Sequence, residues 1–451
     1  MERLALKEKI GYSLGDTAAN IAWRSITTFL LVFYTDVFGI SAAAAGLLLL
    51  LARISDGGLD VVVGMLADRT QSRQGKFRPW ILYSAVPLGI LMALTFTTPH
   101  FSYNGKLVYA YITYILMMFV YTANNIPYSA LMGVMTSSHK ERTSLSSFRF
   151  AGAYLGGIIT QGFLLYLVMF LGNGNRNLGY QYSMYLFALI LVVFLLITFF
   201  TTRERVVPSK DQQTGVGKDL RDLVTNRPWL ILLVTGFLFV TYNSIKQGIT
   251  VIYFDRYIGN ISLTAYYMVS LLIVSMIAAL VTTPLAHYFG KRNLFIYVLL
   301  FSGLSSGCLY FLGPTDIKGL FSLGILSEFG AGIMPVLFFA MLGDSADYSE
   351  WKHNRRATGL FYSAGTFAMK FGGGVAGAII GFVLSSYHYN GMDNNSVHVA
   401  VPGIKLLMSW IPGIFAAFGA LVLSVYPLTR KKMDQVEADL VSRKVLLNRI
   451  L

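Results

Sequence analysis

The chain has 451 residues, 55% of them hydrophobic and only 13% charged, with a formal net charge of +14. Soluble domains carry about a quarter charged residues, so a soluble globular protein is excluded and a polytopic membrane protein is expected. The positive excess does not point to nucleic acid, because it is segregated along the chain and accompanies a mean hydropathy of +0.58.

A bilayer core of about 30 Å takes about 20 apolar residues per helix. Twelve stretches meet that length: 15–38, 42–66, 79–98, 107–134, 148–171, 180–200, 229–253, 263–289, 293–312, 319–342, 359–385 and 401–425. The first is too long and too interrupted for a cleavable signal peptide, and none is expected. It carries Asp16, Asn20 and Arg24 at spacings of four, which puts all three on one helix face. The second contains "ARISDGGLD" (52–60). Asp56 and Asp60 there lie one turn apart on one face, where two buried carboxylates repel and call for a cation between them. Arg53, three residues before Asp56, is in position to neutralise one of them. Intramembrane acids usually mark ion or substrate pathways.

The fourth stretch carries "YTANNIPYSALMG" (121–133). Pro127 removes a backbone donor and frees a carbonyl one turn earlier, beside Asn124, Asn125 and Tyr128. Such a helix can present hydrogen-bonding groups to a polar ligand. Arg149 opens the fifth stretch, as a pocket residue or a snorkelling one. Residues 201–228 form a polar, charged linker, and the seventh to twelfth stretches follow it. Lys370 lies well inside the eleventh stretch, followed by "FGGGVAGAIIG", whose small residues allow close helix packing. Lys246, Glu328 and Lys405 fit interface or structural positions equally well. Cys308 is the single cysteine, so neither a disulfide nor a thiolate metal site is available.

The expected architecture is all-α, with six helices over 1–200, the linker 201–228, six helices over 229–428, and a cytoplasmic tail over 429–451. No internal repeat is legible in the sequence. The N-terminal tail, even-numbered loops and C-terminal tail hold 26 Lys/Arg, against four (Lys106, Arg176, Arg256 and Lys318) on the opposite side. That asymmetry places both termini in the cytoplasm. No phosphate-binding G-x-x-x-x-G-K-[ST] loop is present, which disfavours a directly ATP-driven pump. The six histidines make no metal spacing, and neither a cofactor, a metal beyond a coupling ion, nor an enzymatic activity is expected.

"FYTDVFGIS", "ARISDGGLD", "RQGKFRPWILY", "YTANNIPY" and "GDSADYSEWKHNRRATG", in that order, resemble the glycoside–pentoside–hexuronide:cation symporters, the melibiose carrier group of the major facilitator superfamily. The resemblance implies twelve helices in two bundles and inward transport of a sugar coupled to Na⁺ or H⁺ by alternating access. It implies a cation site at Asp56, Asp60 and Thr122, a sugar pocket that includes Arg149, and a lysine near both sites at Lys370. Asn20, Arg24, Asn125, Tyr128 and Thr366 complete the expected sugar-binding set. Arg53, Asp344, Asp347 and Glu350 are the expected coupling or gating residues, the last three pairing with Arg73, Lys76 or Arg142.

Two departures bear on specificity. Melibiose carriers have an asparagine where this chain has Leu59, which leaves a lean oxygen shell and both cations open. Their two galactoside-holding acids correspond to Asn20 and Asn125, and Arg24 adds a positive charge. An anionic or differently hydroxylated sugar is therefore expected over melibiose. A lipid or drug transporter on the same fold would want an apolar cavity, and a sugar sensor would want an elaborate cytoplasmic domain. The expected setting is the bacterial cytoplasmic membrane, with the lipid bilayer, a sugar and a monovalent cation as partners, and with the chain acting as a monomer.

Overall fold

Inside a bilayer no water satisfies backbone N–H and C=O groups, so long apolar runs close their hydrogen bonds as helices. The computed structural model of the chain describes residues 4–136, 139–205, 225–353 and 358–450, and among them there is no strand. Most of the linker, 206–224, lies outside the described residues. The elements are α1 (Leu6–Arg24), α2 (Ala42–Arg69), α3 (Arg78–Thr95), α4 (Tyr103–Met135), α5 (His139–Gly172) and α6 (Arg176–Thr201). After the linker come α7 (Arg227–Ile252), α8 (Ser262–Phe289), α9 (Lys291–Cys308), α10 (Ile317–His353) and α11 (Thr358–Ser386). Then follow α12 (Asn394–Met408), α13 (Trp410–Ser424) and the tail helix α14 (Arg430–Ile450).

Ten segments among the described residues are long and apolar enough to cross a membrane, the last of them combining α12 and α13. With α1 and α2 the number of crossing helices is twelve. These two carry Asp16, Arg24 and Asp36, and Arg53, Asp56 and Asp60. Leu280, Phe170 and Phe382 are 74%, 80% and 70% exposed, as side chains that face lipid should be.

The twelfth predicted helix is broken at Ser409, whose backbone leaves helical geometry (φ −122°, ψ −88°). Pro412 cannot donate to the carbonyl of Met408. The Ser306 hydroxyl of α9 donates instead to the Met408 carbonyl at 3.2 Å.

α1 and α7 share a terminus that sequence comparison misses. α1 runs on through π-turns at Ser25–Leu30 and Phe33–Phe38 and stops at Gly39 (φ +81°). α7 runs on through a π-turn at Tyr253–Ile258 and stops at Gly259 (φ +73°). The Gly39 and Ile40 N–H groups both donate to Tyr34 O, and the Gly259 and Asn260 N–H groups both donate to Phe254 O. The glycine is required in both places, since the left-handed region suits it best. The repeat lies in the turn geometry, which tolerates nearly any side chain before the glycine.

By contacts the chain divides into two compact units. The first comprises 1–210, 247–272 and 377–404, and the second comprises 211–246, 273–376 and 405–451. In the first unit α1 packs closely on α5. A Cβ at Gly152 would collide with Ser13 O, and one at Gly156 would lie 2.5 Å from Thr17 O. α2 approaches α11 in the same way, with a Cβ at Gly46 only 2.7 Å from Gly377 O. This is the role of the small residues after Lys370. The second unit is centred on Phe239, Tyr242, Phe295, Met334 and Phe338.

The "RQGKFRPW" turn is built on a carboxylate from the far end of the first half. Glu204 accepts from the backbone N–H groups of Lys76, Phe77 and Arg78 at 2.8, 2.8 and 2.9 Å, capping the start of α3. Gly75 sits at φ +113°, and a Cβ there would lie 2.5 Å from Glu204 Oε1. Glu204→Ala strands three backbone donors of a positive helix end. It is expected to cost about 1–3 kcal/mol, read as a lower thermal midpoint of the detergent-solubilised protein.

Candidate functional site

The first unit gathers most of the sequence-predicted residues. Asp56 on α2 is 1% exposed, and its Oδ1 accepts a short hydrogen bond from the Thr122 hydroxyl of α4. Asp60 lies one turn further along α2 and is partly exposed. Two oxygens of the expected cation set therefore converge on one point, with the third ligand on the same helix face.

Part of the expected sugar set, Asn20, Arg24, Tyr128 and Arg149, lies where α1 packs closely on α5. The Arg149 Nε donates to Asp16 Oδ2 at 3.1 Å and its Nη2 donates to Ser129 Oγ at 3.1 Å. Gly152 and Gly156, three and seven residues on, let α5 come near enough for that ion pair. Arg149 also stands 5.5 Å above the Tyr128 ring. Tyr128 itself is 1% exposed and locked to Tyr12. Their rings stack at 4.7 Å, and the Tyr128 hydroxyl donates to the Tyr12 carbonyl at 2.6 Å. That places Tyr128 beneath Arg149 as its support. Asn20 donates from Nδ2 to the Asp16 carbonyl at 3.0 Å. Arg24, one turn further, is partly exposed.

The two amides of "YTANNIPY" differ in their partners. Asn124 is 2% exposed and donates to Ser84 Oγ at 2.7 Å, so it joins α4 to α3. Asn125 donates weakly to the Tyr121 hydroxyl at 3.4 Å, and its buried Oδ1 accepts no hydrogen bond among the described residues. A carbonyl oxygen left in that condition is an acceptor for a ligand hydroxyl.

Arg53 is 5% exposed, but its guanidinium carbon stands 4.0 Å from the centre of the Trp23 ring. Among the described residues it makes no ion pair, and its Nη1 no hydrogen bond. Trp23 in turn stacks on Tyr121 at 5.7 Å. Sequence reasoning passed over Trp23 because a tryptophan in an apolar helix has many ordinary uses.

A second cluster lies at the far end of α1, in the stretch quoted above as "FYTDVFGIS". Asp36, whose side chain is 1% exposed, receives Arg256 at 2.8 and 3.1 Å and the Tyr389 hydroxyl at 2.8 and 2.9 Å. Arg256 also donates to the Gly391 carbonyl at 2.7 Å, and Arg176 forms a two-pronged pair with Asp255 at 2.8 and 2.9 Å. Lys106 donates to the Phe38 carbonyl at 2.8 Å. Asp36 and Arg256 each stand three residues before their terminal glycine, so the two matching turns pair with each other. Three of the four basic residues counted on that side thus have structural partners.

The remaining predicted residues belong to the second unit. Thr366 and Lys370 lie on α11, both partly buried. Asp344, Asp347 and Glu350 lie on α10, where Asp344 pairs with Lys291 of α9 at 2.7 Å. The Lys76 ammonium stands 5.2 Å from the Phe77 ring, Arg73 is exposed, and the Arg142 side chain lies outside the described residues. Lys246 is 6% exposed and donates to Ser327, and Lys405 stands 4.9 Å from the Tyr310 ring.

A family model described as MFS/sugar transport protein matches residues 11–430. The inner membrane symporter YicJ of Escherichia coli is 32% identical over 98% of this chain and 96% of its own length. The isoprimeverose transporter of Lactiplantibacillus pentosus is 33% identical over 96% of this chain and 90% of its own. Among solved structures, a bacterial homologue of the human lysosomal transporter Spinster superposes with a TM-score of 0.74 over 93% of this chain and 96% of that one. At 14% identity it speaks for the fold alone. Twelve crossing helices, charges buried within them and matches along almost the whole length converge on one answer: the chain belongs to the MFS/sugar transport family, in its glycoside–pentoside–hexuronide:cation symporter group.

Proposed function

We propose that this protein carries a glycoside across the membrane together with Na⁺ or H⁺, by alternating access. The carrying observation is the convergence of Asp56 and Thr122 beside Asn125, whose Oδ1 accepts no hydrogen bond among the described residues. The cation neutralises the carboxylates of Asp56 and Asp60. Without it, charge in the membrane interior opposes reorientation. With it, α2 and α4 settle, and the sugar hydroxyls find Asn125, Asn20 and Arg149. Each ligand favours the form that binds the other, which is coupling in its thermodynamic sense. Arg24 and Thr366 are assigned to the sugar, Arg53 to coupling, and Asp344, Asp347 and Glu350 to gating.

The substrate we favour is a neutral glycoside. Arg149 already has Asp16 as counter-ion, so its charge is not available to an anionic sugar at no cost. The relative named for isoprimeverose points the same way. The charge asymmetry of the chain supports cytoplasmic termini in a bacterial cytoplasmic membrane.

The test is counterflow of labelled glycosides in membrane vesicles, with and without Na⁺ at fixed pH and then across pH. Isoprimeverose is expected to exchange and excess glucuronide to leave that exchange unchanged. Stimulation by neither ion would defeat the symport reading, and strong competition by glucuronide would defeat the neutral-sugar reading. Lys370→Ala is expected to impair coupled uptake while the protein still reaches the membrane, and full activity would remove Lys370 from the mechanism.

A further inference from the structure

We propose that Trp23 is a positioning residue for the cation site: it holds the Arg53 guanidinium on its ring and so keeps that internal positive charge off Asp56. This rests on the reading of Asp56 as a cation ligand.

Arg53 and Asp56 are three residues apart on α2, so their side chains are neighbours on one face. An arginine stays charged at any physiological pH, and a buried charge takes the best partner within reach. The nearest opposite charge on its own helix is Asp56. Paired there, Arg53 would do the coupling ion's work permanently, and the carboxylate would have little affinity left for Na⁺ or a proton. The structure shows a different arrangement. The guanidinium carbon is 4.0 Å from the Trp23 ring centre, and tryptophan offers the strongest aromatic face for a cation. At 5% exposure Arg53 is largely removed from water, where that attraction counts most.

Trp23 is itself held. Its ring stacks on Tyr121, which is 8% exposed, and the next residue, Thr122, donates to Asp56. The ring that restrains Arg53 is therefore anchored to the same turn of α4 that supplies the cation site's hydroxyl. Among the described residues, the charged and titratable groups near Arg53 and Asp56 include Asp60 on α2, Tyr114 and Tyr121 on α4, and, at longer range, Asp16 on α1 and Arg149 on α5.

Without the ring, Arg53 becomes a competitor tethered one turn from the site. Cation affinity should then fall with little change in the folded structure, and deleting the competitor should restore it. The experiment uses the purified, detergent-solubilised protein, with its thermal midpoint titrated by NaCl against choline chloride at fixed pH, then by pH in choline. Trp23→Leu is expected to need roughly tenfold more Na⁺, or a lower pH in choline, for the same rise in midpoint, since a nearby cation competes for the carboxylate. Trp23→Phe should fall between, because its ring holds a cation less strongly. Trp23→Leu combined with Arg53→Gln should return the cation dependence to that of the natural protein. A merely structural tryptophan would leave the double variant as impaired as the single one, or more so, and that result overturns the inference. An unchanged cation dependence in Trp23→Leu does the same. A natural protein that responds to neither Na⁺ nor pH would instead overturn the cation-site reading, and this inference with it.

Discussion

Asp56→Asn is expected to abolish cation-stimulated sugar uptake while leaving the protein folded. The substitution keeps the shape of the side chain and an acceptor for the Thr122 hydroxyl, but removes the charge that a cation would neutralise. At 1% exposure the side chain is almost wholly out of water, and the amide fills the same space without the charge. Coupling between two ligands is typically about 1–3 kcal/mol, or about 5- to 150-fold in affinity. Sugar binding at saturating cation should fall by a factor in that range, to the level the natural protein shows without cation. Asp60→Asn should act in the same direction, and Thr122→Ala more weakly, since a neutral oxygen contributes less than a carboxylate. Counterflow with and without Na⁺ at two pH values separates these outcomes. Wild-type stimulation in both Asp56→Asn and Asp60→Asn would remove the pair from the mechanism.

Asp36→Ala is expected to be the most destabilising of the single substitutions considered. It leaves the Arg256 guanidinium, 14% exposed, and the Tyr389 hydroxyl without their shared acceptor. Breaking a buried ion pair from one side costs about 3–5 kcal/mol, and Asp255, 3.3 Å from the Arg256 Nε, offsets part of that loss. Removing both charges, as in Asp36→Leu with Arg256→Met, should recover much of that loss. The thermal midpoints of the two single variants and the double variant give the coupling between the residues directly. Additive losses would mean that the pair is a bystander. Gly391→Ala should mimic part of the effect, because a Cβ at that position would strike the Asp36 carboxylate.

The candidate cation pair was conspicuous in sequence because its signal is local. Asp56 and Asp60 share a face by spacing alone, and a charge in an apolar helix is conspicuous on any reading. Thr122 entered only through the family resemblance, since one threonine among many carries no such mark. By spacing alone Asn124 and Asn125 looked equivalent, and the family resemblance singled out Asn125. They differ because α4 turns one towards Ser84 of α3 and the other towards Tyr121, which is a matter of helix rotation against neighbours. Tyr128, expected to contact sugar, is occupied in supporting Tyr12 and Arg149. Asp36 was quoted only as part of a family motif. Its partners Arg256 and Tyr389 are 220 and 353 residues away, a separation no local pattern can report.

The sequence by itself determined the membrane class and the helix count. These follow from transfer free energy summed over about 20 residues, a quantity that depends on composition and not on contacts. Only the tertiary structure decided which charges are matched, and by what. Arg53 faces an acid on its own helix, yet rests on Trp23 of another. Arg149 looked free to bind substrate, yet holds Asp16, because Gly152 and Gly156 bring α5 against α1. The matching π-turns before Gly39 and Gly259 are likewise a property of the backbone, set by hydrogen bonds that leave the side chains nearly unconstrained. In a bilayer, burial is dictated by apolar length, while pairing is dictated by how closely helices approach, and that second quantity rests on a few small residues whose meaning appears only in contact.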